Sequence, residues 1–220
     1  MDAIDAMYRT FARYRRSDAP SGCPCCVSAQ DQGQLRGTLR TLTSEQLGRF
    51  AFKAMTTWGD VDDYKYYLPR IFELARDEPS ACPIGLSPWL MGSKLRYGNW
   101  KEWPSSEQAA VYDGFGALFA ASIGRAELGA TTEVFRGLRN AGIELGAFLH
   151  HWDPLSSPAH AATLAEAVQE TELHRDPTVG SWLLSTARRI ELERAFERFV
   201  DTSEADAIAR GVDYLTCMLF

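Results

Sequence analysis

The chain has 220 residues, 45% of them hydrophobic and 24% charged, which is enough apolar material for a sizeable core. Lys and Arg total 23 against 29 Asp and Glu, and the net charge of −6 argues against a general binder of nucleic acid or anionic membranes. No run approaches the roughly 18 apolar residues of a membrane span, and Asp2 and Asp5 stand where a secretory leader carries positive charge.

No Ser/Gly-rich linker divides the sequence, so one all-helical domain over 1–220 is expected, with 1–37 supplying an N-terminal helix and a cysteine-containing loop. Ile4, Met7, Tyr8, Phe11 and Tyr14 recur at helical spacing among Arg9, Arg13, Arg15 and Arg16. This reads as an amphipathic helix docked on the body. Residues 17–37 have no periodicity and read as loop.

From Thr43, an N-cap with Gln46 three residues on, the residues Leu47, Phe50, Ala51, Ala54, Met55 and Trp58 share a helical face that Gly59 ends. Asp60 caps the next helix, with Asp62 and Asp63 in its acidic first turn. Val61, Tyr64, Leu68, Ile71, Phe72 and Ala75 keep one phase across Pro69. That implies a kinked helix or two short helices in register.

Residues 77–105 are broken by Pro and Gly, with a short helix starting at Ser87-Pro88 and running through about Leu95. Trp89, Tyr97, Trp100 and Trp103 make the segment aromatic, either laid over the core or exposed as a contact surface. Ser105-Ser106-Glu107-Gln108 spells another helix start, and that helix ends near Gly124. Thr131 or Thr132 opens a helix that Gly142 stops, and Ser157-Pro158 opens another. A phase slip between Ile190 and Leu192 implies a bend, and Ala205 to Leu219 close the chain as a helix. Strand-like alternation is nearly absent. The fold class expected is all-α, an irregular bundle of about nine or ten helices, with HEAT-like pairing as one arrangement.

Five cysteines, three of them in Cys23-Pro24-Cys25-Cys26, do not make a secreted disulfide framework and fit the cytoplasm. The C-x2-C spacing lets two thiolates reach one zinc ion. Cys25 and Cys82 are the natural further ligands, so Cys23, Cys25, Cys26 and Cys82 are the candidate structural zinc site. The competing reading is a reduced turn packed on the body. Cys217 reads as core.

His150-His151 lie near Asp153, one expected to face inward and the other solvent. Glu166, Glu170 and His174 fall at four-residue spacing and could gather a cation on one helix face, although a solvated face explains them too. No nucleophile elbow, phosphate loop or dinucleotide fingerprint occurs, and no catalytic residue is assigned. Acidic groups beside tyrosines suit a protein contact, so Asp60, Asp62, Asp63 and Tyr66, with Trp100 and Trp103, are the candidate partner-binding residues.

The stretch Thr57-Trp58-Gly59-Asp60-Val61-Asp62-Asp63-Tyr64-Lys65-Tyr66-Tyr67-Leu68-Pro69-Arg70-Ile71-Phe72-Glu73-Leu74 resembles a motif in a family of uncharacterised bacterial proteins that also carry a clustered-cysteine N-terminal segment. Some members are similar to immunity proteins encoded beside secreted antibacterial toxins. The resemblance covers the N-terminal third and implies an immunity protein that covers the active cleft of a basic toxin domain. Cys23-Pro24-Cys25-Cys26 also resembles the opening of short cysteine-rich bacterial proteins, which continue with glycine where Val27-Ser28 stands here. The expected function is therefore non-catalytic protein binding. The alternatives are an enzyme with a metal-assisted site using His150, His151, Asp153 or the Glu166/Glu170/His174 row, and a structural scaffold.

Overall fold

Asp60 organises the N-terminal half. Its carboxylate accepts from the amide of Asp63 at 2.9 Å while the Asp63 carboxylate accepts from the amide of Asp60 at 3.1 Å, a reciprocal cap on the helix Val61–Asp77. The computed structural model describes residues 2–14, 20–79, 83–125 and 128–219. Among these lie thirteen α-helices, ten of them seven residues or longer, and no strand, so the fold is all-α.

In chain order these are α1 (Ala3–Phe11), α2 (Ala29–Gln34), α3 (Ser44–Lys53), α4 (Val61–Asp77), α5 (Pro88–Tyr97), α6 (Ser105–Ile123), α7 (Leu128–Ala141), α8 (Gly146–Leu149), α9 (Pro158–Ala167), α10 (Thr171–His174), α11 (Pro177–Leu183), α12 (Thr186–Phe199) and α13 (Ala205–Leu219). The chain forms two compact units. One is Met1–Leu118 with Glu133–Ile143; the other is Phe119–Thr132 with Glu144–Phe220.

In the first unit α1 packs on α4. Ile4, Met7 and Phe11 are buried, and the Tyr8 hydroxyl donates to Glu73 at 2.6 Å. The amphipathic helix docks on the body as expected but ends at Phe11, short of Tyr14, and Arg15 and Arg16 lie outside the described residues. Phe50 of α3 meets Trp58 edge-on at 5.5 Å and Tyr67 of α4 at 4.6 Å, and Phe72 meets Phe115 at 5.3 Å. Pro69 sits inside a single unbroken α4 of 17 residues and is buried there. Burial on both sides holds the helix through the missing amide. Helices α5 and α7 cross at glycines: a Cβ on Gly92 would lie 2.0 Å from the Gly137 carbonyl oxygen.

In the second unit α9, α12 and α13 pack mutually. Ala161, Ala162, Ala165 and Ala167 give α9 the narrow profile this needs, and Gly211 of α13 lies against Ala165. Trp152 is buried between Phe119 and Trp182, and its indole donates to the His160 carbonyl at 3.1 Å.

Several boundaries differ from the sequence reading. The expected loop over 17–37 contains α2, which Ser28 and Asp31 close with a capping box. The α3 helix stops at Lys53 rather than Gly59. The Lys53 carbonyl collects the amides of Thr56, Thr57 and Trp58, and Met55 turns left-handed at φ 63°. The α7 helix starts at Leu128, ahead of Thr131, whose hydroxyl is buried and donates to Ser122 at 3.2 Å. The bend expected between Ile190 and Leu192 is not found there, since both lie within the unbroken α12, and the chain breaks earlier, at Leu184-Ser185. Cys217 is exposed, off the Ile208, Gly211 and Leu215 face that α13 buries, so the core reading is corrected.

Candidate functional site

The cysteine turn and the Trp58-Gly59 break are one structure. Beyond Lys53 the chain doubles back and buries Trp58 against Phe50, with the indole N–H donating to the Pro20 carbonyl at 3.2 Å. Residues 21–23 lie antiparallel along this edge. Gly59 N–H donates to Ser21 and Cys23 N–H donates to the Thr57 carbonyl, both at 2.8 Å, around a Gly22–Trp58 bridge. Gly59 takes φ 69°, a conformation glycine adopts without penalty.

The chain then turns tightly. The amides of Cys26 and Val27 both donate to the Cys23 carbonyl at 2.9 Å, Val27 is buried, and the Lys53 ammonium donates to the Cys26 carbonyl. The turn gathers three sulfurs. Cys23 Sγ and Cys25 Sγ are 2.9 Å apart, Cys25 Sγ and Cys26 Sγ 3.5 Å, and all three lie within 4.8 Å of one another. Cys25 is exposed and the other two are half-buried. The hydrogen bond with the Cys25 side chain draws the Cys23 thiol below its usual range. Hydrogen bonding to Cys23 and Cys26 pushes Cys25 up to about 11. These three cysteines are the one cluster of three or more metal-ligating side chains among the described residues. Cys82 lies outside the described residues.

The edge feeds directly into α4. Asp60 and Asp63 are spent on the cap. Asp62 is exposed, and its carboxylate makes no hydrogen bond or ion pair with the described residues. One turn further on, on the same side of the helix, Tyr66 is half-buried with its ring edge-on to Tyr67 at 4.8 Å. Tyr66 also lines an open cleft of about 380 Å³ with Tyr8, Phe11, Tyr14, Leu39 and Pro69. Two guanidiniums lie over rings of this cleft, Arg40 over Tyr8 at 3.8 Å and Arg13 over Tyr14 at 4.9 Å.

Trp100 and Trp103 do not belong to an exposed contact surface. They are 6% and 7% accessible, and their indoles donate to the carbonyls of Ala141 and Gly98 at 2.9 and 2.8 Å. The exposed aromatics nearby are Trp89, Tyr97 and Tyr112. Sequence reasoning also missed the role of Glu107. The α6 amides of Glu107 and Gln108 are met by the Pro104 carbonyl, and the Glu107 carboxylate turns inward to Lys65, Arg13 and Tyr14.

The residues of the metal-assisted alternative do not converge. Glu166 is on α9, Glu170 is the N-cap of α10, and His174 on α10 bonds the Val168 carbonyl, so the three are not on one helix. His150 and His151 are both exposed, with rings 3.8 Å apart, so neither faces inward as expected. No helix among the described residues is long and apolar enough to cross a membrane. Comparison with known proteins finds no match among family models, curated proteins or solved structures.

Proposed function

We propose that the chain binds another protein, without catalysis, through the acidic and aromatic start of α4. The observation that carries this reading is the division of labour among its acids. Asp60 and Asp63 build the cap, whereas the Asp62 carboxylate is exposed with no partner among the described residues, one helical turn from Tyr66. An unpaired carboxylate beside a tyrosine suits a basic protein surface, the carboxylate steering the encounter and the ring supplying rigid contact area. In an immunity protein the partner is a basic toxin domain, neutralised by covering its active cleft. Free thiols at Cys23, Cys25 and Cys26 fit a reducing compartment, the cytoplasm, and a zinc ion at their turn has a structural purpose, closing the edge that leads into α4.

The test is affinity capture from the native host with the wild-type chain and with Asp62→Arg. The wild type is expected to retain a basic protein, and the variant to retain at least about tenfold less of it with unchanged helical circular dichroism. Equal retention by both removes this surface from the contact.

A further inference from the structure

We infer that Cys23, Cys25 and Cys26 form a surface site for one zinc ion, with three sulfur ligands from a single turn and a fourth position taken by a ligand from outside that turn. The inference stands apart from the partner contact, and either can fail without the other.

Three features carry it. The sulfurs already converge. A zinc ion at about 2.3 Å from each sulfur in tetrahedral geometry needs sulfur–sulfur edges of about 3.8 Å. The edges of 2.9 and 3.5 Å, with the third within 4.8 Å, come within about 1 Å of this, a difference that side-chain torsions absorb. The backbone that carries them is held before any metal arrives: Cys23 by its bond to Thr57, Cys26 by Lys53, and the end of the turn by buried Val27. Ligands fixed in this way lose little further freedom on binding.

Charge and exposure decide the rest. Three thiolates and Zn2+ carry one net negative charge, and the Lys53 ammonium at the Cys26 carbonyl lies beside it. Cys25 is exposed, so the site is open to a fourth ligand from outside the turn, which we assign to a water molecule or a group from a bound protein. Binding converts three thiols to thiolates, and the protons pass to the buffer as Zn2+ takes their place. No oxidant is consumed.

The experiment uses the full chain, purified under reducing conditions without chelator. Zinc is counted by elemental analysis, and its ligands by X-ray absorption. The wild type, Cys82→Ser and Cys217→Ser are each expected to hold about one zinc with three sulfur ligands. Cys25→Ser changes an exposed side chain, so it should keep its helical circular dichroism while zinc affinity falls by roughly 100-fold or more. Added Zn2+ should raise the melting temperature of the wild type and not that of Cys25→Ser. Absence of zinc in the wild type overturns the inference, as does a disulfide among the three cysteines in the reduced preparation. Four sulfur ligands, with zinc lost from Cys82→Ser as fully as from Cys25→Ser, overturn the open three-sulfur site.

Discussion

Lys65 and Glu107 meet inside the fold, with Nζ 3.0 Å from Oε2 and side-chain accessibilities of 8% and 1%. The ammonium lies 4.3 Å from the centre of the Trp103 ring and donates to the Tyr14 hydroxyl, which in turn donates to the other Glu107 oxygen at 2.7 Å. Arg13 reaches the same carboxylate from the surface. The pair joins α4 to α6 and lies behind the wall of the tyrosine cleft. Removing one charge strands the other. Glu107→Gln is expected to lower stability by about 3–5 kcal/mol in urea unfolding, whereas Lys65→Met with Glu107→Leu should recover most of that loss. A double variant no more stable than the single one would show that the carboxylate acts through Arg13 and Tyr14 instead.

The caps read directly from the sequence have a measurable contribution. Thr43 accepts from the Gln46 amide at 3.3 Å and Gln46 returns the bond to the Thr43 amide at 2.8 Å. Thr43→Ala removes half of that exchange and should reduce stability by about 1 kcal/mol. Thr43→Ser should be nearly neutral. Thermal or urea midpoints of the three proteins check both expectations.

Three glycines should respond to alanine in different ways. At Gly92 the new methyl meets a backbone carbonyl that cannot move aside, so α5 and α7 must separate and the protein should be strongly destabilised. At Gly59 the methyl lies 2.6 Å from the Asp63 carboxylate and the backbone is left-handed. The expected loss there is about 1–3 kcal/mol, with the α4 cap disturbed as well. Gly33 in α2 has nothing within 4 Å, and Gly33→Ala should stabilise by about 0.4–1 kcal/mol. The order of the three unfolding midpoints is the check.

The adjoining rings of His150 and His151 give a pH dependence whose sign follows from the site. Partial loss of water around the His151 ring, and then the neighbouring His150 charge, hold the His151 imidazole below its usual range. The folded chain thus binds fewer protons at this group than the unfolded chain does. Its contribution to stability is complete above the unfolded value of about 6.5 and is lost as pH falls through the depressed folded value. Between about pH 7.5 and pH 5.5 the wild-type urea midpoint should fall further than that of His151→Gln. Equal falls would place the acid sensitivity elsewhere.

What could be read from the sequence follows the range of each interaction. Caps at Thr43, Asp60, Ser87 and Ser157 are set by residues three positions apart, and each is found where the pattern puts it. The same three-residue grammar misleads at Glu107, where a helix-start pattern conceals a carboxylate drawn inward by a lysine on another helix. Composition places Trp100 and Trp103 among the partner-binding candidates because it cannot show that a nearby carbonyl takes each indole proton. The Glu166, Glu170 and His174 spacing implied one helix face, but the helix ends at Ala167, where the chain turns. The convergence of Cys23, Cys25 and Cys26 was legible from their spacing. Their attachment to Trp58 and Gly59 was not, because it is made by backbone bonds across a long separation.

The most direct test replaces Tyr66 with the photo-cross-linker p-benzoylphenylalanine and irradiates the protein in its native host, with Tyr112 replaced in the same way as a control position. Position 66 is expected to give one dominant adduct with a basic protein, absent from position 112 and lost when Asp62→Arg is added. No adduct at position 66, or one that survives the charge reversal unchanged, would contradict a partner contact at the start of α4.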